Sequence, residues 1–334
     1  METTFMGKFG LEITKLGMGT MTLGKQVERH VSFRILDKAY DAGIRLFDCA
    51  DIYPLGGGVT LAGETERIIG EWMQTKPRKD LIITSKCFAR TDDSLNGAGL
   101  GRAHILYAVD ASLKRLKTDH IDLYMAHAFD ENVPLEETLR AFEDIVLAGK
   151  VRYIGVSNWA AWQMSKALGI ASMRGYLPFI CDELRYNLLF RRAEKEIFPM
   201  CRTEGMGIIA YNPLAGGLLS GKYTSHLVPA DGSRFDLAVG GELYHERYWN
   251  QAVLKAVDTY CGLCRAWGRN PVTTAVQWAL LQKNINCVLI GASRPEQLED
   301  SLAACSAQPL DAEQLDALDA LWYALPRYKG ENLH

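Results

Sequence analysis

The chain has 334 residues, 48% of them hydrophobic, and a net charge of -3. That is enough apolar material for a large core, and a charge this small gives no electrostatic case for nucleic acid or an anionic membrane as partner. No apolar stretch reaches the roughly 20 residues needed to span a bilayer. The N-terminus, beginning Met1-Glu-Thr-Thr4, has no basic segment followed by an apolar run, so no signal peptide is expected. Among the eight cysteines, Cys261 and Cys264 are closely spaced, but within a helical pattern and with no second pair. The expectation is reduced thiols, no metal site and a soluble cytoplasmic protein.

Strand-like and helix-like segments alternate along the chain. Phe5–Ile13 reads as a small hairpin turning around Lys8–Gly10, and Leu16–Gly19 as a short strand. Val31–Ala42 has helical apolar spacing, with Gly43 as its stop. Then follow strand Arg45–Asp48 and helix Glu64–Gln74, strand Leu81–Lys86 and helix Arg102–Leu116, and strand Asp122–His127 and helix Leu135–Leu147. Strand Val151–Asn158 leads to helix Ala160–Met173, strand Phe179–Glu183 to helix Ala193–Arg202. Strand Gly207–Tyr211 opens a long irregular stretch to about Glu242. Helical patterning resumes over Gln251–Trp267 and Val272–Leu281. Cys287–Ile290 is the last strand, Pro295–Ala304 its helix, and Asp311–Ala324 an extra terminal helix. Trp72, Trp162, Trp267, Trp278 and Trp322 fall in helices and are expected in the core.

Eight such units give a parallel sheet with helical crossovers. With no composition break or Pro/Gly/Ser linker, residues 1–334 read as a single α/β domain. The predicted fold is a (β/α)8 TIM barrel with an N-terminal β-hairpin, a long seventh βα loop and an extra C-terminal helix. The alternative, a doubly wound Rossmann sheet, needs G-x-G-x-x-G after its first strand. Gly17-Met-Gly19 and Gly97-Ala-Gly-Leu-Gly101 lack the third glycine or the preceding strand.

Several strands end in polar residues: Asp48, Lys86, His127, and Ser157 with Asn158. In a (β/α)8 barrel this is the catalytic end. Tyr53 follows Asp48 by five positions. A tyrosine protonates an alkoxide only if its pKa is brought toward neutrality, which a lysine ammonium favours. A carboxylate holds that lysine charged, and a histidine positions the carbonyl oxygen. Asp48, Tyr53, Lys86 and His127 supply those four roles. Singly each has an ordinary structural reading, Asp48 with Lys86 as a rim ion pair and His127 as a core histidine. Their joint arrival at strand ends argues for chemistry.

Five motifs in order carry a family resemblance: Phe47-Asp-Cys-Ala-Asp-Ile-Tyr53, Ile83-Thr-Ser-Lys86, Asp119-His-Ile-Asp-Leu-Tyr-Met-Ala-His127, Gly149-Lys-Val-Arg-Tyr-Ile-Gly-Val-Ser-Asn158, and Tyr211-Asn-Pro-Leu-Ala-Gly-Gly-Leu-Leu-Ser-Gly221. They resemble the aldo-keto reductase superfamily over nearly the whole chain. Arg234-Phe235 and Tyr248-Trp249 look closer to its aryl-alcohol dehydrogenase and aflatoxin-aldehyde-reductase-like branches. The resemblance implies an NADPH-dependent oxidoreductase that reduces a small aldehyde or ketone by hydride transfer, with Tyr53 as proton donor. Alternatives are an NAD(P)+-dependent alcohol or sugar dehydrogenase running in reverse, and a non-catalytic cofactor-sensing channel subunit. The oligomeric state is not legible.

The resemblance also assigns cofactor contacts. Ser157 and Asn158 match the pair that holds the nicotinamide carboxamide, and Tyr211 the aromatic on which its ring stacks. Asn212, Pro213, Leu214, Gly216, Gly217 and Leu219, with Lys222 and Arg234, match the pyrophosphate loop. Gly19, Thr20, Met21 and Asp48 complete the inner end. Gly291, Ser293, Arg294, Gln297, Asp300 and Ser301 enter a helix suited to the 2′-phosphate and adenine, favouring NADP over NAD. Two departures stand out: Glu183 replaces a customary Gln beside the carboxamide, and the loop Pro54–Gly63 is long. Phe88, Phe129 and Trp159, together with Tyr53 and His127, are expected to line the substrate pocket, with Tyr244 and Trp249 as further candidates.

Overall fold

The computed structural model describes residues 1–223, 235 and 241–326. Its centre is a closed barrel of eight strands, all paired in parallel. A two-stranded antiparallel hairpin, β1 (Thr3–Phe5) and β2 (Glu12–Thr14), precedes it. The barrel strands are β3 (Leu16–Gly19), β4 (Leu46–Asp48), β5 (Ile82–Cys87), β6 (Ile121–Ala126), β7 (Val151–Ser157), β8 (Cys181–Arg185), β9 (Gly207–Tyr211) and β10 (Cys287–Ile290). Each follows its neighbour in sequence, and β10 closes against β3. The expected barrel and hairpin are therefore present.

The helices are α1 (Arg29–Asp41), α2 (Glu64–Met73), α3 (Arg102–Leu116), α4 (Leu135–Leu147), α5 (Ala161–Arg174), α6 (Ile197–Glu204), α7 (Gly241–Tyr248), α8 (Gln251–Ala266), α9 (Pro271–Leu280), α10 (Gln297–Ala303) and the terminal α11 (Ala312–Tyr323). Their ends follow local chemistry. Asn250 and Asn270 cap α8 and α9 through their side chains, Pro271 sits in the first turn of α9, and Asp311 with Gln314 forms a capping box on α11.

Side chains alternate across each strand. Leu46, Leu123, Met125, Cys181, Ile209, Cys287 and Leu289 fill the barrel interior, and the hairpin adds Met6, Leu11 and Ile13 to that cluster. The hairpin is a plug: Met6 is fully buried, Lys8 N donates to Gly205 O, and Asn286 Nδ2 donates to Phe5 O. A Cβ on Gly207 would lie 2.3 Å from Met6 Sδ, so glycine is required there for the plug to seat. The opposite, C-terminal end of the barrel carries Asp48, Lys86 and Glu183 on its strand ends.

Three sequence expectations need correction. Trp162 is 61% exposed; α5 turns it outward, while Trp72 and Trp278 are buried as expected. Helical patterning is expected to resume only at Gln251, but α7 precedes it at Gly241–Tyr248; its polar composition masks the helix, of which Tyr244 and Tyr248 are buried. The segment read as one helix over Ala193–Arg202 is a 3₁₀ turn, Arg192–Glu194, followed by α6.

Outside the barrel wall, Glu66 of α2 is fully buried, accepting from Ser85 Oγ at 2.6 Å and from Arg115 Nε at 2.6 Å. This ties α2 and α3 to β5, the strand that carries Lys86. Glu66→Ala strands the Arg115 guanidinium and should cost about 3–5 kcal/mol. Urea denaturation of the two proteins would measure it; a loss indistinguishable from zero would refute the tie.

Candidate active site

Inward alternation places Asp48, Lys86, Glu183 and Tyr211 on the interior rows of their strands, at the C-terminal mouth. His127 extends the row of Leu123 and Met125 by one step beyond β6. Tyr53 arrives differently, on the loop after β4, with its N–H bonded to Ala50 O at 3.2 Å.

Lys86 is fully buried. Its Nζ pairs with Asp48 Oδ1, donates to Cys49 O at 2.9 Å, and lies 3.2 Å from Glu183 Oε1. Asp48 Oδ1 also accepts from Thr84 Oγ1, and its carbonyl accepts from Thr20 Oγ1 at 2.6 Å and Thr20 N at 3.1 Å. Thr84 escaped the sequence reading; its position two residues before Lys86, on the same strand face, was the available signal. Lys86 Nζ lies 5.6 Å from the Tyr53 ring centre, and the Tyr53 and His127 rings meet edge-on at 5.8 Å. The four residues picked from sequence are thus brought together.

The electrostatics depart from expectation at Tyr53. Burial raises its pKa well above the usual phenol value; Lys86 opposes this, and Asp48 and Glu183 add to the rise. Burial is the leading cause, because it penalises the charged phenolate; Lys86 is the largest single charge acting against it. His127 is pushed down to about 3, first by burial and then by Lys86, so its imidazole is neutral. Lys86 is held charged: burial works against it, but Asp48 and Glu183 more than compensate.

A second set of contacts continues from the tetrad. Ser157 Oγ donates to Glu183 O at 2.9 Å, and Asn158 N donates to the same carbonyl at 3.0 Å. Asn158 Nδ2 donates to His127 O at 3.1 Å, and Tyr211 OH donates to Asn158 Oδ1 at 2.8 Å. After β9 the chain turns tightly: Asn212 Oδ1 accepts from Gly216 N, Gly217 N donates to Leu214 O, and Leu219 N also reaches Leu214 O. Gly216 and Gly217 have φ of 71° and 104°, which glycine adopts without strain. Asn212 and Asn187 both donate to Tyr248 OH at 2.9 Å, so α7 is fastened to this turn. Neither Asn187 nor the role of Tyr248 was legible in sequence. Leu219 is buried, whereas Lys222 is exposed; Gly19, Thr20 and Met21 end β3 beside Asp48, and Pro213 lies within the turn. Arg234 lies outside the described residues.

The expected phosphate site is arranged otherwise than anticipated. Helix α10 starts only at Gln297, whose Oε1 accepts from Ser293 N, Ser293 Oγ and Arg294 N. Those N–H groups are therefore already satisfied, leaving the exposed side chain of Arg294 as the available cation. Asp300 accepts from Asn270 Nδ2 at 3.1 Å, Ser301 is buried, and Gly291 is exposed.

Phe88 and Phe129 stand partly exposed near the mouth, but Trp159 is 1% exposed, packed edge-on between Phe129 and Phe179. It backs the wall rather than lining it. Tyr244 is buried against Phe235, and Trp249 packs on Phe235 and Tyr223. The Pro54–Gly63 loop is bent, with Gly56, Gly58 and Gly63 at positive φ and a 3₁₀ turn at Val59–Leu61, and Lys25 Nζ bonds Gly56 O.

Among curated proteins, an uncharacterised oxidoreductase of Bacillus subtilis, YrpG, is 36% identical over 329 residues, covering 96% of each chain. A putative aryl-alcohol dehydrogenase of Schizosaccharomyces pombe is 32% identical, over 96% of this chain and 95% of the relative. A probable voltage-gated potassium channel subunit beta of Oryza sativa is 31% identical over 98% of both. The Aldo/keto reductase family model matches residues 15–323, from the foot of the first barrel strand to the end of the terminal helix. A closed barrel, a buried lysine–aspartate pair and a tyrosine–histidine couple at its mouth agree with that match, and the chain belongs to the aldo/keto reductase family.

Proposed function

We propose that this oxidoreductase reduces aldehydes or ketones to alcohols with NADPH, residues 1–334 acting as one catalytic unit. The observation that carries the reading is the buried Lys86–Asp48 pair beside Tyr53 and His127. Bound NADPH supplies the hydride. The residues present fit such a nucleotide: Tyr211 offers a ring-sized face beside Ser157 and Asn158, Glu183 Oε2 is buried there without a partner among the described residues, and glycines permit close approach at the following turn. Ser157, Asn158, Glu183 and Tyr211 would hold the nicotinamide, Asn212–Leu219 with Lys222 the pyrophosphate, and Arg294 the 2′-phosphate.

Within this frame Tyr53 is the proton donor. Its hydroxyl is protonated at neutral pH; burial makes it a weaker acid, and Lys86 works against that by stabilising the phenolate left after transfer. His127, being neutral, can donate an N–H to the carbonyl oxygen without adding charge. Phe88 and Phe129 form an apolar, aromatic rim around the substrate. The similarity to a channel subunit favours one rival, a cofactor-sensing role, which turnover of any carbonyl compound with NADPH excludes.

Tyr53→Phe should lower the rate of 4-nitrobenzaldehyde reduction by about 10²–10⁴-fold while leaving NADPH binding nearly intact; wild-type turnover would remove Tyr53 from the donor role. The pH profile should show no limb near 6.5, because a histidine titrating at about 3 is already neutral throughout the range from 5 to 8. A clear inflection there, absent in His127→Ala, would contradict this. Arg294→Ala should weaken NADPH by about tenfold or more, through loss of a charge-assisted contact, with little effect on NADH. Fluorescence titration with both nucleotides decides it, and equal losses would discount Arg294 as the 2′-phosphate ligand.

A further inference from the structure

Glu183 is the residue of the cluster that the tetrad's chemistry does not require. It lies on the interior row of β8, in register with Ser157 of β7. Its Oε1 is 3.2 Å from Lys86 Nζ, which already pairs with Asp48. Its Oε2 is buried and, among the described residues, has no hydrogen-bond partner. The titratable groups around it are Asp48 from the β4 end, Tyr53 from the loop beyond, Lys86 from β5, Cys181 from β8 and Cys287 from β10. Burial keeps the two thiols protonated, so Lys86 is the single cation of this group. With both carboxyls ionised the cluster would hold one uncompensated negative charge away from water, which is costly. Burial first, and Asp48 next, favour the neutral acid at Glu183, while Lys86 opposes them.

The backbone carbonyl of Glu183 accepts from Ser157 Oγ and Asn158 N, the residues assigned above to the nicotinamide. Oxidised nicotinamide is a cation and reduced nicotinamide is neutral. A cation next to the cluster would offset the surplus charge that keeps Glu183 protonated. We propose that Glu183 couples cofactor redox state to a proton: it is a carboxylic acid beside reduced nicotinamide and a carboxylate beside the oxidised form. Only the O–H bond of Glu183 breaks; the proton passes to solvent and no electrons move at this residue. The inference rests on the nicotinamide reading of the site. It predicts that the preference for NADP+ over NADPH grows as pH rises, since ionised Glu183 attracts only the oxidised ring.

The test is calorimetric titration of the intact protein with NADP+ and with NADPH, in two buffers of different ionisation enthalpy at one pH. Wild type should release more protons on binding NADP+ than on binding NADPH. In Glu183→Gln that difference should vanish, and the affinity ratio of NADP+ to NADPH should fall by about tenfold or more, since a unit charge within about 12 Å at an effective dielectric constant near 20 is worth at least that. A purely structural Glu183 would not release a proton selectively. Equal proton counts for the two nucleotides in wild type overturn the proposal without reference to any variant, and so does an unchanged affinity ratio in a folded Glu183→Gln. Failure of both nucleotides to bind would instead overturn the nicotinamide reading, and this inference with it.

Discussion

Everything at the mouth of this barrel depends on one buried ammonium. Lys86 has no exposed surface, and such a charge survives only with close compensation. Asp48 supplies it by direct pairing, and the Cys49 carbonyl and Glu183 add to it. Asp48 in turn is fixed by Thr84 and Thr20, so the pair sits in a preorganised polar nest inside an otherwise apolar interior. Removing either partner would leave the other buried and uncompensated. Burial first, and the charges of this cluster after it, set the proton affinities of Tyr53 and His127: one hydroxyl is kept protonated, the other group kept neutral.

That arrangement needs a rigid frame, and the fold provides it from two sides. The N-terminal hairpin closes the far end with Met6, making the interior a filled core rather than a channel. Outside β5, Ser85 hands the strand to Glu66 and Arg115 of the flanking helices. Adjacent residues of one strand thus do opposite jobs, Thr84 and Lys86 inward to the site and Ser85 outward to the scaffold. At the other edge, Tyr248 accepts from Asn187 and Asn212, joining the last turn of α7 to the loops after β8 and β9.

Much of this was legible in the sequence because two periods and a few side-chain types carry it. Alternation of strands with helices of amphipathic spacing, without a linker, leads to the barrel. Apolar runs ending on Asp48, Lys86 and His127 lead to its catalytic end. What failed was local and has physical causes. Trp162 has the composition of a core residue, but its helix turns it to solvent. Helix α7 lacks strong apolar spacing and owes its burial to Tyr244 beside Gly216 and to Tyr248 bonded by Asn187 and Asn212, partners distant in sequence. Trp159 looked like a pocket wall because it follows a strand end, yet Phe129 and Phe179 cover it. Ser293 and Arg294 looked like open anion donors, yet Gln297 folds back onto their N–H groups.

The sequence by itself determined the elements, their order, the inward parity of each strand and the residue types delivered to the mouth, since these depend on neighbours within a few positions. It also placed Glu183 at the end of its strand, where the family resemblance leads one to expect Gln. Only the tertiary structure decided how those residues act on one another. Glu183 on β8 and Lys86 on β5 are three strands apart in the wall, and closure of the barrel alone brings them to 3.2 Å. The direction of the Tyr53 pKa follows from that closure: the burial that leads it, and the distances to Lys86, Asp48 and Glu183 across the barrel, are encoded in no single segment.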